Sequence, residues 1–251
     1  MMDTSELLTS WADQYSVQWN DCLATGFASL EAMCNYFQES AWHHADHLGF
    51  GFQKLKNTDR AWVLARITMK IDRYPAWRES VIVKTWPTGV EKIFARRDFL
   101  ILDTNGQTLG SGASWWIIIN PQTRQPQIPE VVRDLILEPP LDEYKPERLR
   151  LPETLEPLGN HTVQYLETDR LGHVNNTRYA AWILNALGPD WNNRYKIESY
   201  QIEFVTEAFT GERIGLFSSP AGESRFYING KRERDGKEIF RARIGVKEKE
   251  S

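Results

Sequence analysis

The sequence is poor in several features that would assign a chain to a large class at once. It has two cysteines in 251 residues. Cys22 and Cys34 form no C-x-x-C pair and stand in no Cys/His ligand pattern, so neither a disulfide framework nor a structural zinc site is indicated, and a reducing compartment fits. Lys and Arg total 30 against 34 Asp and Glu, a net charge of −4. That balance argues against a generally basic nucleic-acid binder, while leaving room for local basic patches facing an acidic partner. The opening stretch MMDTSELLTSWADQYS lacks a basic start followed by an apolar run. No segment approaches the roughly 18 apolar residues of a membrane span. A cytoplasmic protein without a membrane span is expected. Aromatics, by contrast, are plentiful, with ten Trp, nine Tyr and eleven Phe, which suggests strands and a pocket for something apolar.

Along the chain, Tyr15 to Trp19 reads as a brief strand. Leu30, Met33, Cys34, Phe37, Ala41 and Leu48 then recur at helical spacing, with Gly49 as the stop. Strands are expected at Ala61 to Ile71 and in ESVIVKTW, FARRDFLILD and SGASWWIIIN, with a hairpin at Asp103-Thr104-Asn105-Gly106. From Asn120 to Glu156 prolines crowd in and periodicity fades. The second half then repeats the first: Val163-Gln164-Tyr165 matches Val17-Gln18-Trp19, each followed by a helix, and Asp235-Gly236 matches the hairpin at Asn105-Gly106. The order of one strand, one long helix and a run of antiparallel strands is that of the hotdog fold. An α+β tandem hotdog is therefore expected, each half a long helix wrapped by a curved antiparallel sheet. The halves are placed at residues 1–135 and 159–251, with a linker at 136–158.

The richest chemistry lies in ETDRLGHVNN, Glu167 to Asn176, just ahead of the second helical pattern. Asp169 falls where a strand ends, and Gly172 and His173 fall where the helix should begin. Unpaired N–H groups at a helix start can hold a developing oxyanion. A carboxylate beside it can act as general base on water or attack a thioester carbonyl directly. His173 can polarise the carbonyl, share the proton or hold the carboxylate, and Asn175 can orient either group. Glu207, on a strand pattern downstream, is the second carboxylate. Asp and Asn also serve simply as helix caps. The first copy, NDCLATGFASLEA, retains Asp21 but has no histidine and no Asn pair, and this asymmetry favours catalysis in the second copy. HHADH places His43 and His47 one helical turn apart, a weak metal signal better read as helix-end histidines. Cys34 reads as core, and Cys22 has no partner histidine near it in sequence.

DRYPAW (Asp72 to Trp77), ARRDFLILD (Ala95 to Asp103), ASWWIIINPQTRQPQIPEVVR (Ala113 to Arg133), GHVNNTRYAAWIL (Gly172 to Leu184) and IEFVTEA (Ile202 to Ala208) resemble, in order, the landmarks of the acyl-acyl carrier protein (acyl-ACP) thioesterases of plants and bacteria. The resemblance covers nearly the whole chain. It implies hydrolysis of the thioester joining a fatty acyl chain to the phosphopantetheine arm of acyl carrier protein, with no cofactor and no metal. It places the family's acid on Asp169, its histidine on His173 and its glutamate on Glu207, and it gives the N-terminal copy much of the acyl pocket. Two departures matter. Leu171 stands where plant members commonly carry asparagine, and Ala208 stands where they commonly carry cysteine. A thiol mechanism is thereby excluded at that position. An acidic partner implies a basic face, for which Arg96, Arg97, Lys231, Arg232 and Arg234 are the candidates. The same core would suit an acyl-coenzyme A thioesterase or a non-catalytic acyl-binding hotdog, and a homodimer is left open. The lack of a transit peptide suggests a bacterial member.

Overall fold

The structure, a computed structural model, describes residues 9–249 apart from 134, 136–137, 142, 145–147, 221 and 223. The chain divides into two compact units, Met1–Ala65 with Asp72–Pro146 and Arg66–Ile71 with Glu147–Ser251. The expected linker, residues 136–158, lies partly outside the described residues.

In the first unit, β1 (Trp11–Ser16) is followed by α1 (Leu30–His47), the short α2 (Phe52–Lys56) and the start of β2 (Ala61–Ile71), whose residues from Arg66 belong to the second unit. Then come β3 (Ser80–Glu91), β4 (Phe94–Asp103), β5 (Thr108–Ile119), the two-residue β6 (Pro126–Gln127) and α3 (Glu130–Arg133). Strands β1, β3, β4 and β5 neighbour one another in that order, all antiparallel. Helix α1 forms where the apolar spacing predicts it. Ser29 caps it by accepting from the Ala32 N–H at 3.0 Å, and Gly49 ends it at φ +78°. Its inner face buries Leu30, Met33, Phe37 and Ala41, and the Phe37 ring stacks on Phe99 of β4 at 4.2 Å.

The second unit holds β7 (Glu156–Thr162), α4 (Arg178–Arg194), β8 (Tyr195–Phe204), β9 (Arg213–Pro220), β10 (Arg225–Arg232) and β11 (Glu238–Glu248). Their order is β8-β11-β10-β9-β7, with Arg66–Lys70 of β2 paired to β8. Helix α4 buries Tyr179, Ala180, Trp182 and Ile183 and kinks at Gly188, ahead of Pro189. Each unit is thus one long helix laid against an antiparallel sheet, the hotdog arrangement.

Two elements differ from the sequence expectation. The first strand is Trp11–Ser16, because the Asp21 carboxylate accepts the Gln18 N–H at 2.8 Å and tightens Trp19–Asp21 into a 3₁₀ turn. Strand β7 opens at Glu156 in proline-rich sequence. It pairs with β9 alone and shifts register between Pro157 and Gly159, which an edge strand tolerates.

The proline-rich stretch is gripped at two points by similar clamps. In the first unit Asp98, fully buried, accepts from the Leu141 N–H at 2.6 Å while Arg96 holds both Asp98 oxygens and donates to the Leu141 carbonyl at 2.7 Å. In the second, buried Glu203 accepts from the Leu149 N–H at 2.7 Å, and Arg241 donates to the Leu149 carbonyl at 3.0 Å. Each clamp satisfies one main-chain donor and one acceptor of a segment with no ladder of its own.

Glu167 ends the 3₁₀ turn Tyr165–Glu167 and fastens it to α4. It accepts from the Gln164 N–H at 2.7 Å, His161 Nε2 at 2.8 Å and Trp182 Nε1 at 2.8 Å. Burial works to raise its pKa, but the His161, Gln164 and Trp182 hydrogen bonds outweigh it and hold the carboxyl below the ordinary value.

Replacing Asp98 by Leu strands the Arg96 charge and the Leu141 N–H, and should lower the urea-unfolding free energy by about 3 to 5 kcal/mol. Adding Arg96→Met should recover part of that loss, and a double variant no better than the single one would show that the pair is not coupled. Because the folded pKa of Glu167 is depressed, its stabilisation is complete above its unfolded pKa and is lost as pH falls through the folded value. Glu167→Gln should therefore destabilise at pH 7 and flatten the acid limb of the stability curve, as measured by thermal melts from pH 7 to 3.

Candidate active site

The stretch from Glu167 to Asn175 is a turn closed by main-chain bonds. The Asp169 N–H donates to the His173 carbonyl at 2.8 Å and the Gly172 N–H to the Asp169 carbonyl at 3.0 Å, with Gly172 at φ +79°. That conformation suits glycine. Val174 N–H reaches the Ala208 carbonyl at 3.0 Å, and Asn175 N–H the Glu167 carbonyl at 2.9 Å.

The first unit builds the same turn from different residues. Leu23 N–H donates to Phe27 at 2.9 Å, Gly26 to Leu23 at 2.9 Å, Ala28 to Pro75 at 2.9 Å and Ser29 to Asp21 at 2.7 Å, with Gly26 at φ +80°. Bond by bond, Leu23 corresponds to Asp169, Phe27 to His173, Ser29 to Asn175, Asp21 to Glu167 and Pro75 to Ala208. Tyr74 then corresponds to Glu207. The two carboxylates and the imidazole of the second copy are replaced by leucine, phenylalanine and tyrosine in the first, on the same four main-chain bonds. Asp21 is therefore the counterpart of the fastening Glu167, not of Asp169.

The second turn brings His173 and Glu207 together, with Nδ1 and Oε1 3.4 Å apart and both side chains partly open to solvent. The edge of Phe209 packs on the imidazole at 5.1 Å between ring centroids. Asp169 is exposed, and its Oδ1 accepts the Leu171 N–H at 2.8 Å. Beneath them Tyr179 of α4 is buried. Burial first, then the charges of Glu207, Glu212 and Asp169, raise its phenol above the ordinary value. Glu167 and Tyr179 were not singled out from sequence. The repeat held the signal for Glu167, once Tyr165-Leu166-Glu167 is set on Trp19-Asn20-Asp21.

Several expected placements need correction. Helix α4 begins at Arg178 with Thr177 before it, so Gly172 and His173 are not its first residues. Asp169 and Asn175 start a turn and a half-turn instead. The Gly172 N–H is occupied by Asp169, whereas the His173 N–H reaches no acceptor among the described residues. Asn175 Oδ1 is engaged by the Thr177 N–H at 3.0 Å and its hydroxyl at 3.1 Å, which leaves the amide nitrogen for other work. Of the five candidate docking cations, Arg97 and Arg232 are buried. Arg232 lies between Asp235 and Glu212, Arg96 is clamped on Asp98, and Arg234 pairs with Glu212 at 2.7 Å. Lys231 lies over the Phe217 ring and is exposed. In HHADH, His43 meets Asp13 at 2.9 Å, and His47 lies against Trp11. His44 is fully buried. Burial raises the Cys34 thiol to about 12, in keeping with a core residue.

The comparisons with known proteins agree over both units. The acyl-ACP thioesterase N-terminal domain profile matches residues 9–136, and the C-terminal domain profile matches residues 156–247. A chloroplastic palmitoyl-acyl carrier protein thioesterase of Arabidopsis thaliana is 30% identical over 257 residues, 91% of this chain and 62% of its own length. One of Cuphea hookeriana is 31% identical over 210 residues, 77% of this chain and 50% of its own length. The chain thus spans between half and two thirds of these relatives. The crystal structure of an acyl-ACP thioesterase from Bacteroides thetaiotaomicron superposes with a TM-score of 0.87 at 27% identity, covering 95% of this chain and 98% of that one. With both domain profiles matched in order, this chain belongs to the acyl-ACP thioesterase family.

Proposed function

We propose that this protein hydrolyses the thioester of fatty acyl-acyl carrier protein, releasing free fatty acid and the carrier's thiol, and so ends or diverts fatty acid synthesis in the cytoplasm. The observation that carries the reading is the contrast between the two turns. Leu23, Phe27 and Tyr74 accompany the same main-chain bonds without a carboxylate or an imidazole, so the turn does not call for Asp169, His173 and Glu207, which supports a chemical role for them.

Hydrolysis requires a water oxygen to bond to the carbonyl carbon, an acceptor for that water's proton, a donor to the developing oxyanion, and a proton for the departing thiolate. Asp169, exposed and with Oδ1 accepting the Leu171 N–H, takes the proton from water. Glu207 accepts the Nδ1–H of His173, which leaves Nε2 to take the proton from the Asp169 carboxyl and pass it to the departing thiolate sulfur, so that both groups end as they began. The His173 main-chain N–H is the uncommitted donor beside them and serves the oxyanion. The C–S bond breaks as the carbonyl re-forms, so one water is consumed and one acid and one thiol leave. Ala208 leaves no thiol next to Glu207.

Asp169→Asn should lower kcat by about 10²-fold or more, with an unchanged melt; near-normal turnover would remove it from the mechanism. The double variant Asp169→Leu with His173→Phe imitates the first turn, and is expected to fold with the wild-type thermal midpoint and release no thiol. Matched acyl-ACP and acyl-coenzyme A substrates of several chain lengths test the partner. Faster thiol release from the carrier protein supports it, equal or better release from coenzyme A discards it, and no release from either leaves a binding protein.

A further inference from the structure

The segment between β8 and β9, residues 205–212, carries Glu207, and its main chain is fixed by its own bonds. The Phe209 N–H donates to Glu212 Oε2 at 3.1 Å, and the Glu212 N–H to the Phe209 carbonyl at 3.1 Å. The Val163 N–H reaches the Glu212 carbonyl at 2.9 Å, and the Gly211 N–H the Val163 carbonyl at 2.9 Å. The Glu212 carboxylate is held in turn by Arg232 at 3.2 Å and Arg234 at 2.7 Å.

The first unit repeats this loop bond for bond. The Ala76 N–H donates to Glu79 Oε2 at 2.9 Å, and the Glu79 N–H to the Ala76 carbonyl at 3.0 Å. The Val17 N–H reaches the Glu79 carbonyl at 2.9 Å, and the Arg78 N–H the Val17 carbonyl at 3.0 Å. An arginine, Arg73, again grips the glutamate. Ala76 is thus the counterpart of Phe209 and Glu79 that of Glu212, in keeping with the match of Pro75 to Ala208. The loop forms with a methyl group at this position, so its backbone does not call for an aromatic ring.

Ala76 stands opposite Phe27 in an isolated antiparallel bridge, and residues so paired have neighbouring side chains. In the second unit the same two positions hold Phe209 and His173. Their rings meet nearly at right angles, with 84° between planes and 5.1 Å between centroids. The copy that carries the imidazole also carries the phenyl ring beside it. His173 has use for such a wall. Its Nδ1 lies 3.4 Å from Glu207 Oε1, and both side chains are partly open to water. The torsion that turns an imidazole has broad, roughly two-fold wells, so one long contact leaves the ring free to swing Nδ1 away. Phe209 is itself 38% exposed, and among the described residues its one ring contact is with His173.

We propose that Phe209 is a positioning residue of the active site. Its ring walls one side of the His173 imidazole and keeps Nδ1 on Glu207, with Nε2 presented to the reaction. The step it serves rests on the reading of His173 as the proton carrier in thioester hydrolysis, whereas the contact rests on the loop geometry alone.

Phe209→Ala installs the residue of the first copy, so the loop should form and the thermal midpoint stay near that of wild type. The free energy typical of an edge-to-face pair corresponds to a loss of about 5- to 10-fold in kcat on acyl-ACP, with KM little changed. Phe209→Tyr keeps the ring and should retain most of kcat. Full kcat in Phe209→Ala overturns the proposal, and so do equal losses in both variants. A raised KM at constant kcat overturns it too, by making Phe209 a substrate contact. The carbon-bound imidazole protons of His173, identified in the NMR spectrum by their loss in His173→Phe, give a readout without turnover. The Phe209 ring current should displace them in wild type and in Phe209→Tyr, and Phe209→Ala should return them toward the positions of a freely turning imidazole. Resonances that stay put in Phe209→Ala overturn the proposal whatever the kinetics show. Displaced resonances in a wild-type protein that releases no thiol would sink the hydrolase reading and leave the contact standing.

Discussion

The hydrogen bond from the Asp169 N–H to the His173 carbonyl, 2.8 Å long, closes the turn on which the candidate active site is built. With it come the bonds from Gly172 to Asp169, from Val174 to Ala208 and from Asn175 to Glu167, and all of them run through the main chain. Main-chain bonds place few demands on side-chain identity beyond the left-handed glycine. The turn can thus carry Leu23 and Phe27 in one copy and Asp169 and His173 in the other without a change of shape. The acids of the motif divide by the same logic. Glu167 turns inward and ties the turn to Trp182, as Asp21 ties its counterpart to Tyr36 at 2.8 Å. Asp169 is exposed and accepts from the Leu171 N–H within the turn.

What the sequence could reveal followed from how local each signal was. The stripe of Leu30, Met33, Phe37 and Ala41 marks α1 because a helix shows its buried face at a fixed spacing, and Ala61 to Ile71 marks β2 through its β-branched and aromatic residues. The start of α4 was not legible. Asp169, Asn175 and Asn176 are all cap formers, and the choice among them lies with distant partners such as Ala208, which holds Val174. The nearness of His173 and Glu207 is likewise a tertiary fact. Their order along the chain says only that both exist.

The misplaced docking cations show the same limit from the other side. In ARRDF, Arg96 and Arg97 point to opposite faces of β4, so a sheet with one wet face would leave one of them exposed. Here neither face is wet at that point. Helix α1 brings His44 against Arg97 on one side, and the stretch around Leu141 and Tyr144 covers the other, packing on Phe94 and Trp115. Proline-rich sequence without periodicity reads as a free linker. Its grip by the Asp98 and Glu203 clamps depends on carboxylates that sit 43 and 54 positions away along the chain.

Duplication explains how one chain tolerates an apolar turn in one copy and a polar one in the other. When the turn is held by its backbone, losing the polar trio from the first copy leaves no orphaned donor or acceptor behind. It leaves apolar surface instead, with Leu23 44% and Phe27 46% exposed. Exposed leucine or phenylalanine in ones and twos is ordinary on a protein surface, so the first copy carries apolar residues there with little penalty.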